Sequence, residues 1–488
     1  MNIVLSSVAP KKDFAELNVR NSSRVDFPLT FMIGVSSSAY QIEGGWDDGG
    51  KTPSIWDDFV HFHPRAVGDN STADVGPDSY HNYQDDVAAL RLVGHYRFSV
   101  SWTRIIPRYG SVNQQGINYY SKLIDELIAN DIEPMITLFH WDIPRWLQDI
   151  GGMTNPLFVD HFKTFADVCF KSFGSKVKTW MTMNEPFNFC VNGYGIYPSW
   201  APAISSPGVG EYLCGHYMLL AHASAYRLYR EKYFETQRGS VGITLDSRFY
   251  FKNSMVTSDD CHRAQDYRLG WFAHPLFSKT GGYPKIMVEE IEARCKLEGR
   301  AMSRLPKMDD NTKALVRGSS DFFGLNYYTS RILQVVESKP SPNEPPAWFK
   351  DAKSVIQVDK GWKRAKSDWL YSVPSGLRNL LKWIKDEYGN PPVFITENGW
   401  SDEGELEDDE RIEYFKEHLK AVHEAINADG CNVTGYTAWS LLDSFEWDRG
   451  YLEKFGLFSV NFTSKRRERT PKKSAMWFKK LIKERHLG

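Results

Sequence analysis

The feature that most constrains this chain is a recurring pattern: eight short, mostly apolar runs separated by stretches of helical or irregular character. The runs occupy residues 30–37, 95–101, 134–140, 177–184, 239–245, 322–328, 392–397 and 433–440. Most are continuously apolar rather than alternating, as parallel strands covered on both faces require. Before the third run, Ile117, Tyr120, Leu123, Ile124, Leu127 and Ile128 recur at helical spacing. Residues 408–427 repeat that pattern before the eighth, and Ser474 is placed to cap a last helix carrying Met476, Trp477, Leu481 and Ile482. Eight β-then-α units predict an α/β chain folded as a single (β/α)8 TIM barrel over residues 27–488, with residues 1–26 as an N-terminal arm. An open doubly wound sheet is the alternative, but no G-x-G-x-x-G or Walker sequence follows a strand. Long surface loops are expected at residues 200–209 and 337–362.

Composition narrows the function. Net charge is −2, from 59 basic and 61 acidic residues, so nothing favours nucleic acid or an anionic membrane as partner. No apolar run reaches the length of a membrane span. Residues 1–10 are apolar but lack a basic n-region, so a leader is expected to be absent or already removed. Glycosylation-type triplets at Asn21, Asn70, Asn432 and Asn461 tilt the reading slightly towards a secreted protein over a cytoplasmic one, with Asn432 expected to enter a buried strand. The 6 cysteines show no C-x-x-C spacing, which argues against a zinc site or a disulfide scaffold and leaves room for one bridged pair. The 16 Trp and 24 Tyr suit either ordinary packing or the stacking of flat, weakly hydrated ligands such as sugars.

In such a barrel the reactive groups gather where strands end at the C-terminal face. Glu397 ends the run V-F-I-T-E, and Glu185 follows the strand-like K-T-W-M-T-M-N. An acid at the tip of a buried strand is costly unless paired or used. The other strand ends offer Gln41, Arg97, His140 with Trp141, Asn184, Asn326 with Tyr328, and Trp439 followed by Glu446 and Trp447. Each alone has a duller reading: a structural ion pair for Arg97, a satisfied histidine for His140, packing for Tyr328, Trp439 and Trp447. Their coincidence on one face carries the argument, because hydroxyl-binding, ring-stacking and acid/base types fall together without a metal-binding cluster. That combination suits cofactor-free and metal-free hydrolysis of a small-molecule glycoside, with inversion and retention both open at this point.

T-M-N-E-P (residues 182–186) and I-T-E-N-G (395–399) resemble the two signature motifs of family 1 glycoside hydrolases, the β-glucosidase family. The resemblance extends through S-A-Y-Q-I-E-G-G-W (38–46), Y-R-F-S-V-S-W-T-R-I-I-P (96–107), L-F-H-W-D-I-P (138–144), G-L-N-Y-Y-T (324–329) and W-S-L-L-D-S-F-E-W (439–447). It implies a retaining mechanism, with Glu397 as nucleophile and Glu185 as acid/base. It also implies Arg97, Asn184 and Tyr328 as catalytic support, and Gln41, His140, Trp141, Asn326, Trp439, Glu446 and Trp447 as sugar-binding residues. Phe187, Asn188, Tyr197 and Trp369 would line the leaving-group side. Glu446 stands where members acting on 6-phospho-sugars have a neutral residue, which favours an unphosphorylated glycoside. Glu185 stands where plant thioglucosidases have Gln, so the acid needed for O-glycosides is retained. The leading expectation is a β-glucosidase. A thioglucosidase of the myrosinase kind, acting on glucosinolates, is the alternative, and an inactive glycosidase-like binding protein a third reading.

Overall fold

The computed structural model describes residues 25–91, 93–196, 198–336 and 344–487. The eight expected strands are all present: β1 (Met32–Ser37), β2 (His95–Ser99), β3 (Glu133–Phe139), β4 (Thr179–Asn184), β5 (Ser240–Asp246), β6 (Phe323–Asn326), β7 (Val393–Asn398) and β8 (Val433–Trp439). They run parallel in chain order, and β8 pairs back onto β1 to close a barrel. Several strands are shorter than their apolar runs, because burial continues past the point where the hydrogen-bonded ladder breaks.

The barrel interior is built in layers. Met135, Met181, Phe322 and Phe394 form an apolar plug with Met32 packed against it. The inward side chains next to the plug turn polar along β2. His95, which opens the strand beside Phe394, has Nε2 2.8 Å from Thr437 Oγ1, and two residues on Arg97 Nε donates to Thr137 Oγ1 at 3.0 Å. This polar layer is the floor on which the candidate site stands.

Outside the barrel, the helix Gln114–Ala129 buries Tyr119, Tyr120, Leu123, Ile124 and Leu127, and the Asn113 side chain caps it by accepting from the Gln115 N–H. The helix Asp409–Asn427 covers the approach to β8. A disulfide joins Cys190 to Cys214, on the helices Pro186–Tyr194 and Gly210–Lys232. No helix among the described residues is long and apolar enough to cross a membrane.

Three expectations change. The loop placed at 337–362 contains the helix Trp348–Asp351 and the strand Ser354–Gln357, which pairs with Arg331–Val335 and through it with Tyr250–Phe251. The β-branched residues Val355 and Ile356 suit this strand, and they pair with Gln334 and Leu333 on the strand that follows β6. Ser474 does not cap the last helix. Lys472 holds that place, while the Ser474 N–H and hydroxyl both donate to Asp408, and Met476 is exposed. Asn432 is exposed just before β8 rather than buried. The arm expected at 1–26 lies outside the described residues except Val25–Asp26, which pair antiparallel with His486–Leu487; Asn21 lies outside them as well.

Candidate active site

A cavity of about 500 Å³ opens at the C-terminal ends of the strands. Glu185 and Glu397 both line it, reaching it from β4 and β7. Just past β7, Gly399 passes the Trp439 carbonyl so closely that a Cβ there would lie 2.2 Å from its oxygen. Glu185 sits at φ +48°, a left-handed conformation that costs a non-glycine residue about 1–2 kcal/mol. Its N–H donates to Thr244 O at 2.9 Å, and Pro186 starts the next helix with its own φ preset, so flanking structure holds the turn.

The two carboxyl groups keep different company. Glu397 Oε1 accepts from Arg97 Nη1 at 2.5 Å, and Oε2 accepts from the Tyr328 hydroxyl at 2.8 Å. Burial pushes this carboxyl up, against the opposing pull of the Arg97 charge and the Arg97, Tyr328 and Asn326 hydrogen bonds. Among the described residues the donors to Glu185 are amides, Asn326 Nδ2 and Asn188 Nδ2, each at 2.8 Å. Burial, then the Asp246 carboxylate, then Glu397 push it well above the ordinary range. One acid is thus held by a cation and the other is crowded by carboxylates.

Asn326 ties them together. Its Nδ2 donates to Glu185 Oε1 and to Asn184 Oδ1 at 3.2 Å, while its Oδ1 accepts from Thr396 Oγ1 at 2.7 Å. Asn184 Oδ1 also accepts from Arg97 Nη2 at 2.7 Å, and its Nδ2 lies 3.1 Å from His140 Nε2. Trp141 Nε1 donates to the Asn184 carbonyl at 2.9 Å. Burial keeps His140 neutral by pushing its pKa well down. Its ring stacks on Trp439 and Trp447 with centroids 5.8 and 6.0 Å away. Glu446 accepts from Ser444 Oγ at 3.1 Å, and burial pushes its carboxyl well up.

Most of the expected residues therefore converge: His140, Trp141, Asn184, Asn326, Tyr328, Trp439, Glu446 and Trp447 all line the cavity. Arg97 lies behind Glu397 and acts on it from below. Gln41 is buried away from the cavity wall, its Nε2 donating to Phe445 O at 2.7 Å and its Oε1 accepting from Ser38 Oγ at 2.6 Å. It fixes the backbone next to Glu446. On the outer side Asn188 and Trp369 line the cavity, whereas Phe187 is packed edge-on against Trp348 and Trp271 with Arg268 over its ring. Tyr197 lies outside the described residues. Sequence reasoning missed Asp246, Arg248, Arg268, Arg331 and Trp200, all of which line the outer part. The D-S-R segment at the tip of β5 was the available signal, since every neighbouring strand end had been read for polar residues. Among the described residues no three His, Cys, Asp or Glu side chains converge as metal ligands would.

Residues 23–487 match the pattern of glycosyl hydrolase family 1. This chain belongs to that family. Myrosinase 1 of Brevicoryne brassicae is 44% identical over 464 residues, covering 93% of this chain and 98% of its own. Beta-glucosidase 12 of Oryza sativa subsp. indica is 43% identical over 493 residues, covering 94% and 93%. The structure of an aphid myrosinase superposes with a TM-score of 0.88 at 44% identity, over 94% of this chain and 99% of that one. That of a rice β-glucosidase gives 0.87 at 38% identity, over 93% and 98%. The family 1 member described here is a retaining β-glycosidase on a (β/α)8 barrel.

Proposed function

We propose that the chain hydrolyses unphosphorylated β-O-glucosides, meaning short oligosaccharides and aryl or alkyl glucosides, with Glu397 as nucleophile and Glu185 as acid/base. The observation that supports these roles is the unequal surroundings of the two acids. Arg97 and Tyr328 pull Glu397 towards its ionised, nucleophilic form, while burial and then the carboxylates around Glu185 keep it protonated. Glu397 attacks the anomeric carbon as Glu185 gives its proton to the leaving oxygen, breaking the glycosidic bond and forming a glycosyl ester. Glu185, now a base, takes a proton from water, which attacks the same carbon and expels Glu397. Asn184, held by Arg97 and Asn326, is set to hydrogen-bond the sugar hydroxyl next to the reacting carbon, and Trp439 supplies a ring face. A mutant rice relative crystallised in a covalent complex with glucose, which accords with the ester step.

The sugar end supports an unphosphorylated substrate, because Glu446 itself is an acid and Glu453, Glu397 and Asp443 act on it as further acids, against the one cation Lys454 that Glu446 in turn acts on. We take residues 27–488 as one catalytic unit, in keeping with the barrel's closure. The 44% identity to a myrosinase supports a second reading, cleavage of thioglucosides. Turnover of a glucosinolate compared with cellobiose and a nitrophenyl glucoside separates the two.

Glu397→Ala tests the central assignment. Turnover is expected to fall about 10⁴-fold or more, and added azide is expected to restore it by giving the α-glycosyl azide. Absence of rescue in a folded variant removes Glu397 from the nucleophile's role.

A further inference from the structure

The outer wall of the cavity, beside Glu185, carries three guanidinium groups. Arg248 follows β5, Arg268 lies on the helical turn Asp266–Gly270, and Arg331 opens the strand Arg331–Val335. Two of them are engaged. Arg268 pairs with Asp246 and reaches Asn188 Oδ1 at 3.4 Å, although its Nε is buried without an acceptor. Arg331 donates to Thr329 Oγ1 at 2.9 Å, to Ser330 O at 2.7 Å and to Trp369 O. Arg248 lines the same cavity, and its side chain forms no hydrogen bond or ion pair among the described residues.

Arg248 is half-buried, and a cation partly drawn out of water without an acceptor is poorly compensated unless a ligand supplies one. Burial and the neighbouring Arg268 charge push the Arg248 guanidinium down to about 9, which leaves it a cation at neutral pH. Asp246 is the acid paired within this group, so one carboxylate stands against three cations. The side of the cavity is also settled. Arg268 touches Asn188, and Asn188 donates to the Glu185 carboxyl that faces the leaving oxygen in the proposed reaction.

We propose that this wall is an anion subsite, in which Arg248, backed by Arg268 and Arg331, receives a carboxylate or sulfonate-type oxyanion carried by the aglycone of a β-glucoside. The planar guanidinium fork suits either oxyanion in a two-point hydrogen bond. The inference rests on the glucosidase reading above and adds the class of leaving group.

The test compares 4-carboxyphenyl and 4-sulfophenyl β-glucosides with their uncharged carbamoyl and sulfamoyl counterparts, as ratios of kcat/KM in the wild type, Arg248→Met and Arg248→Lys. Leaving-group chemistry is the same in every variant, so a change in a charged-to-neutral ratio reports on Arg248. At least one charged series is expected to lose about tenfold of its ratio in Arg248→Met, to keep part of it in Arg248→Lys, and to weaken with added salt in the wild type. The series with the larger loss identifies the preferred oxyanion. Ratios equal in wild type and Arg248→Met overturn the proposal. A second measurement needs no variant: benzoate is expected to inhibit the wild type more strongly than benzamide, and equal inhibition overturns the proposal as well. Turnover of all substrates without charge preference defeats the anion subsite alone, whereas turnover of none defeats the glucosidase reading and this inference with it.

Discussion

The inner and outer ends of the cavity are built on opposite rules. At the inner end Arg97, Asn184, Asn326, Thr396, Tyr328 and Glu397 are cross-linked by hydrogen bonds among side chains that sit on strands or directly after them. At the outer end the Arg248 side chain has no hydrogen bond or ion pair among the described residues, Arg268 keeps an unsatisfied nitrogen, and Trp369 is 39% exposed on a segment outside the barrel strands. A network satisfied before substrate arrives fixes one geometry and therefore one chemistry. A wall that leaves donors open gains its partners from the ligand and can discriminate among leaving groups.

The comparison can be sharpened by substitutions in descending order of effect. Glu185→Ala is expected to lower kcat about 10²–10⁴-fold on glucosides with basic leaving groups and far less on nitrophenyl glucosides. Equal losses on both, measured by steady-state kinetics, would remove the acid role. Arg97→Met is expected to cost about 10²-fold on every substrate. It should also move the acid limb of the kcat/KM profile to higher pH, because Arg97 lowers the pKa of Glu397, which must be ionised to attack. Tyr328→Phe should move the same limb in the same direction by less. Asp246→Asn works on the other limb. Its carboxylate raises Glu185, which must be protonated to act, so its loss should bring the alkaline limb to lower pH. An unmoved limb would make Asp246 merely a partner of Arg268. Trp369→Ala is expected to raise KM about fivefold for aryl glucosides while leaving cellobiose nearly untouched. If both substrates suffer alike, the division between the two ends fails.

The same division explains what could be read in advance. Continuous apolar runs mark buried parallel strands, and an acid at the end of such a run stands out, so the barrel and the pair Glu185 and Glu397 were legible. Strand limits were less so, since residues such as Thr30 and Tyr328 continue the pattern beyond the ladder. The strand Ser354–Gln357 escaped notice because its partner edge follows β6 and lies across a proline- and lysine-rich segment. Gln41 was expected among the sugar-binding residues; its amide bonds Ser38 and Phe445, a placement set by tertiary structure, and keeps one N–H and one oxygen lone pair open. Arg268 sits in a helix with no local mark of its role. Arg248 could have been found, three residues beyond the fifth apolar run, had the tip of that run been searched as the others were.

The Asn326 side chain has one more consequence. With its nitrogen on Glu185 and its oxygen on the hydroxyl of Thr396, the residue immediately before Glu397, it works as a strut between the two arms of the catalytic jaw. Neither arm can swing outward without dragging the other or snapping the strut. A bulkier ring would therefore meet a gape of set width, and any broadening of glycone tolerance by selection would have to begin at position 326 before either acid could usefully move.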